Sequence, residues 1–293
     1  MKRSLKGLLL SLKILIIELI AVHVSAQTVE ETYALSCDLM KYEQYEYAVK
    51  TLQRVLFFGK DPLFHQAYKN IADCYFFMKD YDRAAKYYDL AYFAEDDEIL
   101  KMALILKKSS ALLLEKKFNL ALAELYNLPD STPDSIASAK FLLLGIANFG
   151  AGYYESSKQA FEQFAGQSNP ETIRQIDAQF HLVDKAGKIK PKTARILSAI
   201  FPGSGQFYAG DLKNGFNSLL LTGGLAVLTV YVAVTFSLFD AFISILPWYQ
   251  RYYTGGIKKA AIIAQSKTET KKATAYREII HEISKTRAGH SPK

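Results

Sequence analysis

Apolar residues recur with helical spacing along residues 29–168. Four segments begin with an aromatic residue and carry a small residue three positions later, and their starts are separated by 36, 37 and 36 residues. A bulky apolar residue follows four positions after the small one, and another apolar residue three positions after that. These positions are Tyr45, Ala48, Leu52 and Val55; Tyr81, Ala84, Tyr88 and Ala91; Phe118, Ala121, Leu125 and Leu128; and Tyr154, Ser157, Phe161 and Phe164. Spacing of three and four residues marks one buried face, so each segment is predicted to be an amphipathic helix.

A second apolar series precedes each of these helices. Its members are Leu35 and Leu39; Tyr68, Ala72 and Tyr75; Ile105 and Leu112; and Phe141 and Gly145. We therefore predict about four helix pairs, with a turn directly before each aromatic residue and the small residue allowing close approach of the paired helices. Residues 171–186 are predicted to form a closing helix over the last pair. The predicted fold class is all-α.

This pattern resembles the tetratricopeptide repeat family, whose unit is a pair of antiparallel helices. The segment from about His65 to Glu98 fits that family best, while Lys108, Ser109 and Ser157 stand where the family prefers apolar residues or Ala. The resemblance implies an α-solenoid with a concave groove that binds peptides or partner helices. The first helices of the pairs would line that groove, and each residue proposed there is also explained as an ordinary solvated or packing residue. The candidate contacts are Tyr42, Lys69, Asp73, Phe76, Phe77 and Lys101.

A long uncharged stretch comes after the predicted helix pairs. Residues 214–239 contain no charged side chain, and a helix needs about 20 apolar residues to cross the hydrocarbon core. The stretch therefore predicts a transmembrane helix.

A glycine-rich motif precedes this stretch. It resembles a phosphate loop only superficially, because no Gly-Lys-Ser/Thr follows and no strand is predicted before it. The motif, with the hydrophobic helix after it, is similar to membrane hairpins of the TM2-domain type, which implies one transmembrane helix or a helical hairpin. The residue at 206 departs from that family, so no activity is carried over. The motif residues are Pro202, Gly203, Gly205, Gln206, Tyr208, Gly210, Asp211 and, after the apolar stretch, Asp240.

The chemistry of these positions gives further expectations. Pro202 and the glycines are expected to break a short helix and let backbones pack closely. Gln206, Tyr208 and Asp211 would lie at the lipid–water boundary or satisfy freed backbone groups. Asp240 would pair with a helix of another protein or end a helix at the interface.

The charge distribution favours a membrane partner. Residues 27–184 carry 16 basic and 23 acidic side chains, whereas 185–213 carry 6 and 1, and 251–293 carry 10 and 3. Basic flanks around an apolar stretch suit anionic lipid head groups better than nucleic acid. The first 26 residues, with basic residues before an apolar core and Val24-Ser25-Ala26 before Gln27, resemble a signal peptide or an uncleaved anchor, and either would export the downstream helices. Whether the basic tail lies on the same side as the helix pairs depends on one or two membrane crossings, and both topologies stay open.

Catalysis has little support in this sequence. The five histidines are scattered, no metal-ligand spacing or nucleophile motif is present, and no cofactor is expected. Cys37 and Cys74 are expected to be buried, unpaired residues, although a disulfide is the alternative for two thiols one repeat apart.

The sequence thus predicts four regions: a signal peptide at 1–26, a helical repeat domain at 27–186, a membrane segment at 187–257 and a basic amphipathic tail at 258–293. The tail would lie on the bilayer surface or continue as a helix. The architecture resembles predicted envelope proteins of Bacteroidota. It favours a non-enzymatic adaptor in the bacterial inner membrane, with a periplasmic repeat domain that binds proteins. The alternative is an envelope-complex subunit whose hairpin assists protein insertion, secretion or transport.

Overall fold

A computed structural model describes residues 28–59, 64–129, 132–166 and 170–288, with side chains to Lys285. The predicted signal peptide lies outside these residues. Every regular element in the described ranges is an α-helix, which confirms the all-α class. The helices are α1 (Val29–Lys41), α2 (Tyr45–Phe58), α3 (Phe64–Phe77), α4 (Tyr81–Ala94), α5 (Glu98–Leu114), α6 (Phe118–Tyr126), α7 (Asp134–Ala151), α8 (Tyr154–Ala165), α9 (Pro170–Gly187), α10 (Pro191–Ile200), α11 (Ser204–Tyr208), α12 (Leu212–Thr235), α13 (Leu238–Ser244) and α14 (Leu246–Ala288).

The chain divides into two compact units between Leu143 and Leu144, inside α7. In the first unit the helices α1 to α6 pack against one another in consecutive pairs, from α1 with α2 to α5 with α6. In the second unit α14 packs against α9, α10 and α12, and more lightly against α8, α11 and α13. The sequence placed a boundary near residue 186, but α8 and α9 belong to the same unit as the apolar helix α12.

One type of turn recurs before α2, α4, α6 and α8. Its left-handed residue lies two positions before the helix, and the N–H of the next residue donates to a carbonyl five residues earlier, which satisfies a carbonyl at the end of the preceding helix. The left-handed residues are Glu43, Lys79, Lys116 and Gly152. The closing bonds, of 2.8 to 2.9 Å, run from Gln44 to Leu39, Asp80 to Tyr75, Lys117 to Leu112 and Tyr153 to Asn148. The predicted aromatic residues are the first residues of all four helices.

Most of the predicted inward positions of these helices are buried, and Phe164 is partly buried. The small residues Ala48, Ala84, Ala121 and Ser157 are each 0% exposed. The bulky residues four positions on are also buried, which confirms the predicted faces. Both cysteines are unpaired. Cys74 is buried as predicted, but the prediction for Cys37 was wrong: it lies exposed on α1, whose outer side no described helix covers.

The second unit is organised around α14. This helix has 43 residues, a length of about 65 Å at 1.5 Å per residue. Residues 258–288 of this helix belong to the predicted tail, which therefore continues as a helix, one of the two alternatives given for it. Ile279 and Ile283 are buried on it, and Tyr276 packs on Phe149 of α7. The closing helix α9 is present as predicted, but the sequence did not predict that α14 would pack over it.

Helix α12 is the one helix in the described part of the chain that is long and apolar enough to cross a membrane. Only 6% of its most apolar window is buried, so it is not a core helix. Leu220, Val227 and Val234 are among its exposed residues. Near its base, Ala194, Ala209, Ala260 and Ala264 form a small buried cluster that joins α10, the end of α11 and α14.

Candidate functional site

The first unit contains a cleft of about 290 Å³ on its first helices α1, α3 and α5. Of the six candidate contacts, only Lys69 lines it. The remaining lining residues are Tyr33, His65, Gln66, Asn70, Glu95, Leu100, Ala103, Leu104 and Lys107. These helices are the ones that the sequence assigned to a groove.

Asp73 lies behind the cleft and joins three helices. Its Oδ1 accepts hydrogen bonds of 2.6 Å from the Tyr88 hydroxyl of α4 and from Lys107 Nζ of α5. Lys69 Nζ is 3.3 Å from Oδ2. Burial, and then the nearby carboxylate, raise the pKa of Tyr88, so its hydroxyl stays protonated and donates to Asp73. One largely buried carboxylate therefore holds two ammonium groups at the edge of the cleft.

The rest of the cleft combines polar walls with apolar surface. Asn70 Nδ2 donates to the Tyr33 hydroxyl at 3.0 Å, and His65 Nε2 lies 3.8 Å from Glu95 Oε2. Leu100 is half exposed, at 50%. An apolar surface beside two ammonium groups and an amide can hold a peptide segment that presents an apolar side chain and a carboxylate.

The other candidate contacts lie outside this cleft. Tyr42 is 70% exposed at the end of α1, and Lys101 bonds to Glu98 on its own helix. Phe76 packs edge-on against Tyr81 and Phe77 stacks on Tyr45, so both support the recurring turns. The structure therefore brings together Lys69 and Asp73 from the predicted set and leaves the other four apart.

Tyr33, Asn70 and Lys107 were missed by sequence reasoning. They occupy equivalent positions, 37 residues apart, on three successive first helices. Comparing the first helices of successive pairs at a separation of 37 residues would have found these three positions in the sequence.

In the second unit, Gln206 is the centre of a buried polar cluster. It is 0% exposed. Its Oε1 accepts from Ser198 Oγ of α10 at 2.8 Å, and its Nε2 donates to the Gly256 carbonyl of α14 at 3.0 Å. The Gly205 N–H also donates to Ser198 Oγ at 3.0 Å. One amide therefore joins α10, α11 and α14.

The glycines of the motif allow this close packing. A β-carbon at Gly205 would overlap the backbone carbonyl of Ala194. Gly203 has a φ of 93°, and a β-carbon there would overlap the carbonyl of Gly215 on α12. Pro202 lies partly buried in the turn before α11. The expectation that these glycines permit backbone contact agrees with this geometry.

The remaining motif residues satisfy backbone groups. Tyr208 donates to the Lys188 carbonyl at 2.9 Å, and Asp211 caps α12 by accepting from the Asn214 N–H at 3.1 Å. Hydrogen bonds from the Asn214 side chain and backbone lower the pKa of Asp211. The Gly210 carbonyl accepts from Lys267 Nζ of α14 at 2.5 Å. Asp240 is exposed near the start of α13, where it accepts from the Ser237 hydroxyl at 2.7 Å.

No protein-family model, curated protein or solved structure matches the chain. Within the described ranges, no group of three or more His, Cys, Asp or Glu side chains is arranged to hold a metal ion. The chemistry of the two sites is therefore the basis for the function.

Proposed function

We propose that this protein is a non-enzymatic, membrane-anchored adaptor whose α1–α3–α5 cleft binds an exported protein. The observation that carries the proposal is the cleft itself, where Asp73 holds Lys69 and Lys107 beside an apolar surface. The expected ligand is a peptide or helix end with a carboxylate for the two ammonium groups and an apolar side chain for the surface near Leu100.

The recurring turn supports a tetratricopeptide-like solenoid of about four helix pairs. The turn returns at the spacing of the sequence pattern with the same closing hydrogen bonds. Buried small residues at equivalent positions accompany it. In solenoids each unit buries its face mainly against its neighbours, so equivalent positions on successive first helices form a continuous binding surface.

Helix α12 and its basic flanks support the membrane anchor. Its side chains are exposed along an apolar helix of 24 residues, an arrangement that is stable when lipid covers them. The signal-like residues 1–26 support export, and with it a periplasmic cleft and an inner-membrane anchor.

Site-specific crosslinking of the full-length protein in cells tests the adaptor proposal. A photo-crosslinking amino acid at Leu100, which lines the cleft, should capture one defined partner. The same probe at Leu120, which is similarly exposed on α6 but outside the cleft, should not. Lys69→Glu should remove the Leu100 product because it reverses one of the two charges, whereas Lys50→Glu on the exposed side of α2 should retain it. An unchanged product in Lys69→Glu would contradict the proposal.

The cluster around Gln206 favours a second candidate, in which the hairpin is the working part of an envelope complex. A buried amide that joins three backbone segments beside an apolar helix fixes the hairpin geometry more firmly than a simple anchor requires. A crosslinking probe at Val227, exposed on α12, would then capture a partner in both the parent protein and the Lys69→Glu variant. The adaptor proposal instead predicts that the Lys69→Glu variant gives no crosslinked product at Val227.

A further inference from the structure

A second cleft, of about 390 Å³, lies between α12 and α14 in the second unit. One wall is a polar face on the first three turns of the otherwise apolar α12, formed by Asn214, Asn217, Ser218 and Thr222. Their spacing of three and four residues places these side chains on one side of the helix. A polar face toward α14 on an apolar helix indicates a polar occupant, since lipid tails would favour apolar residues there.

The opposite wall is basic. Arg251 and Lys259 line it from α14, eight residues and thus about 12 Å apart along the helix. Gly255 lies midway between them, and a β-carbon there would meet no atom within 4 Å, so the wall is open at that point. The space between the two charges is therefore wide enough for a compact charged group.

Three groups of this cleft lack polar partners. The Thr222 side chain is 1% exposed, lines the cleft, and its hydroxyl has no hydrogen-bond partner among the described residues. Arg251 and Lys259 form no ion pair within the same part of the chain, and no acidic side chain lines the cleft. Lys259 acts electrostatically on the Asp211 carboxylate, and that carboxylate already accepts two hydrogen bonds from Asn214. Unpaired charge beside a membrane helix is costly, so the site is complementary to an anion.

We propose that this cleft binds the phosphodiester of an anionic phospholipid, with the phosphate between Arg251 and Lys259. The amides and hydroxyls of α12 would contact the rest of the head group, and the acyl chains would follow the exposed apolar residues Leu220 and Val227. The inference rests on the proposed membrane anchor, and it adds a specific lipid as a ligand of that anchor. A soluble phosphate has the same anionic chemistry, so the experiment must separate the two sources.

Trp248 is the only tryptophan of the chain and reports on this site directly. The Arg251 guanidinium lies 5.9 Å from its ring centre. The full-length protein is reconstituted in phosphatidylcholine vesicles that contain a small fraction of brominated phosphatidylglycerol or, in parallel, brominated phosphatidylcholine. We expect brominated phosphatidylglycerol to quench Trp248 more strongly at equal fractions. Each quenching curve is normalised to the same variant in vesicles without bromine.

Matched variants decide whether the cleft causes this preference. Arg251→Gln with Lys259→Gln should lower the relative binding constant for phosphatidylglycerol about tenfold, since two basic contacts are lost. Lys258→Gln with Arg277→Gln removes the same charge from exposed positions of α14 outside the cleft and should retain the preference. Thr222→Val, which keeps the side-chain shape and is expected to fold, should weaken the preference severalfold because it removes a head-group contact.

Each alternative result overturns the inference. Equal quenching by both lipids would show that the cleft does not select an anion, and equal loss in both double variants would assign the preference to diffuse surface charge. A preference abolished by excess inorganic phosphate would assign the cleft to a soluble ligand. Quenching by neither lipid would overturn the membrane anchor as well, which distinguishes failure of the proposed function from failure of the lipid site.

Discussion

At the scale of single residues, Gly205 has the least room for a side chain among the glycines in the described ranges. A β-carbon there would overlap the Ala194 carbonyl and crowd Ser198 Oγ, while a β-carbon at Gly224 on α12 would meet nothing within 4 Å. Gly205→Ala should therefore force α10 and α11 apart and break the Gln206 hydrogen bonds, with a loss of about 2–4 kcal/mol. Gly224→Ala should be neutral or slightly stabilising, because Ala favours a helix.

Thermal unfolding of the detergent-solubilised variants measures this difference. Gly205→Ala should melt well below the parent protein and Gly224→Ala at or above it. Equal melting temperatures for the two variants would show that α10 and α11 do not approach as described.

The residue scale also shows how a departure from the expected pattern is accommodated. Ser157 stands at a position where the tetratricopeptide repeat family, which the sequence pattern resembles, prefers Ala. Its hydroxyl donates to the Gly145 carbonyl at 2.7 Å. A β-carbon at Gly145 would overlap the Phe161 ring, so the absence of a side chain there lets α7 and α8 approach closely. The sequence predicted that both positions are inward, but only the folded chain brings an acceptor to the Ser157 hydroxyl.

At the scale of elements, Asp82 connects two of the recurring turns. It lies in the first turn of α4, and its carboxylate accepts from Lys117 at 2.8 Å and from Lys86 at 2.5 Å. These hydrogen bonds lower its pKa from 3.8 to about 2. A lowered folded-state pKa stabilises the fold at pH above about 4, and this stabilisation is lost as the pH falls toward 2.

Asp82→Asn should therefore lower the urea midpoint of unfolding slightly at pH 7. The contribution is small because the pair is solvated, and the parent and the variant should converge near pH 2. Circular dichroism at both pH values measures the gap. Asp38→Asn is the matched control, because Asp38 is exposed and its carboxylate forms no ion pair in the described ranges. A gap that persists unchanged at pH 2 would contradict the assignment.

The starts of the helices could be predicted from the sequence more fully than their packing. The helix starts at Tyr45, Tyr81, Phe118 and Tyr154 were predictable because the turn, the small residue and the apolar face all lie within about ten residues. The packing of α14 was not, because it depends on distant contacts: Lys272 Nζ bonds the Tyr154 hydroxyl 118 residues away. The amphipathic pattern of the tail indicated that one face would be buried, but it could not show which helices that face contacts. The cleft residues Tyr33 and Lys107 share the 37-residue spacing of the pattern, but only the folded chain shows that they line one cleft.

At the scale of the whole molecule, the second unit depends on α14 as its cover. Ile279 is fully buried, whereas Ile262 on the same helix is exposed. Ile279→Ala should cost roughly 2–5 kcal/mol through lost burial and a cavity, and Ile262→Ala should be within about 0.5 kcal/mol of the parent. Pulse proteolysis of the full-length protein, with α9 peptides followed by mass spectrometry, measures both. Similar cleavage of α9 in the two variants would show that α14 does not protect it.

The order in which the helices of the second unit are synthesised has a consequence for folding in the cell. A chain emerges from the ribosome in sequence order, and domains generally fold as units while synthesis proceeds. Helices α1–α6 meet all their main partners early, so that part can fold while translation continues. Helix α9 packs against α14, so the face of α9 that α14 covers stays open until the residues of α14 have been made. A nascent protein paused before that point would be a client for chaperones, and completion of α14 would release it.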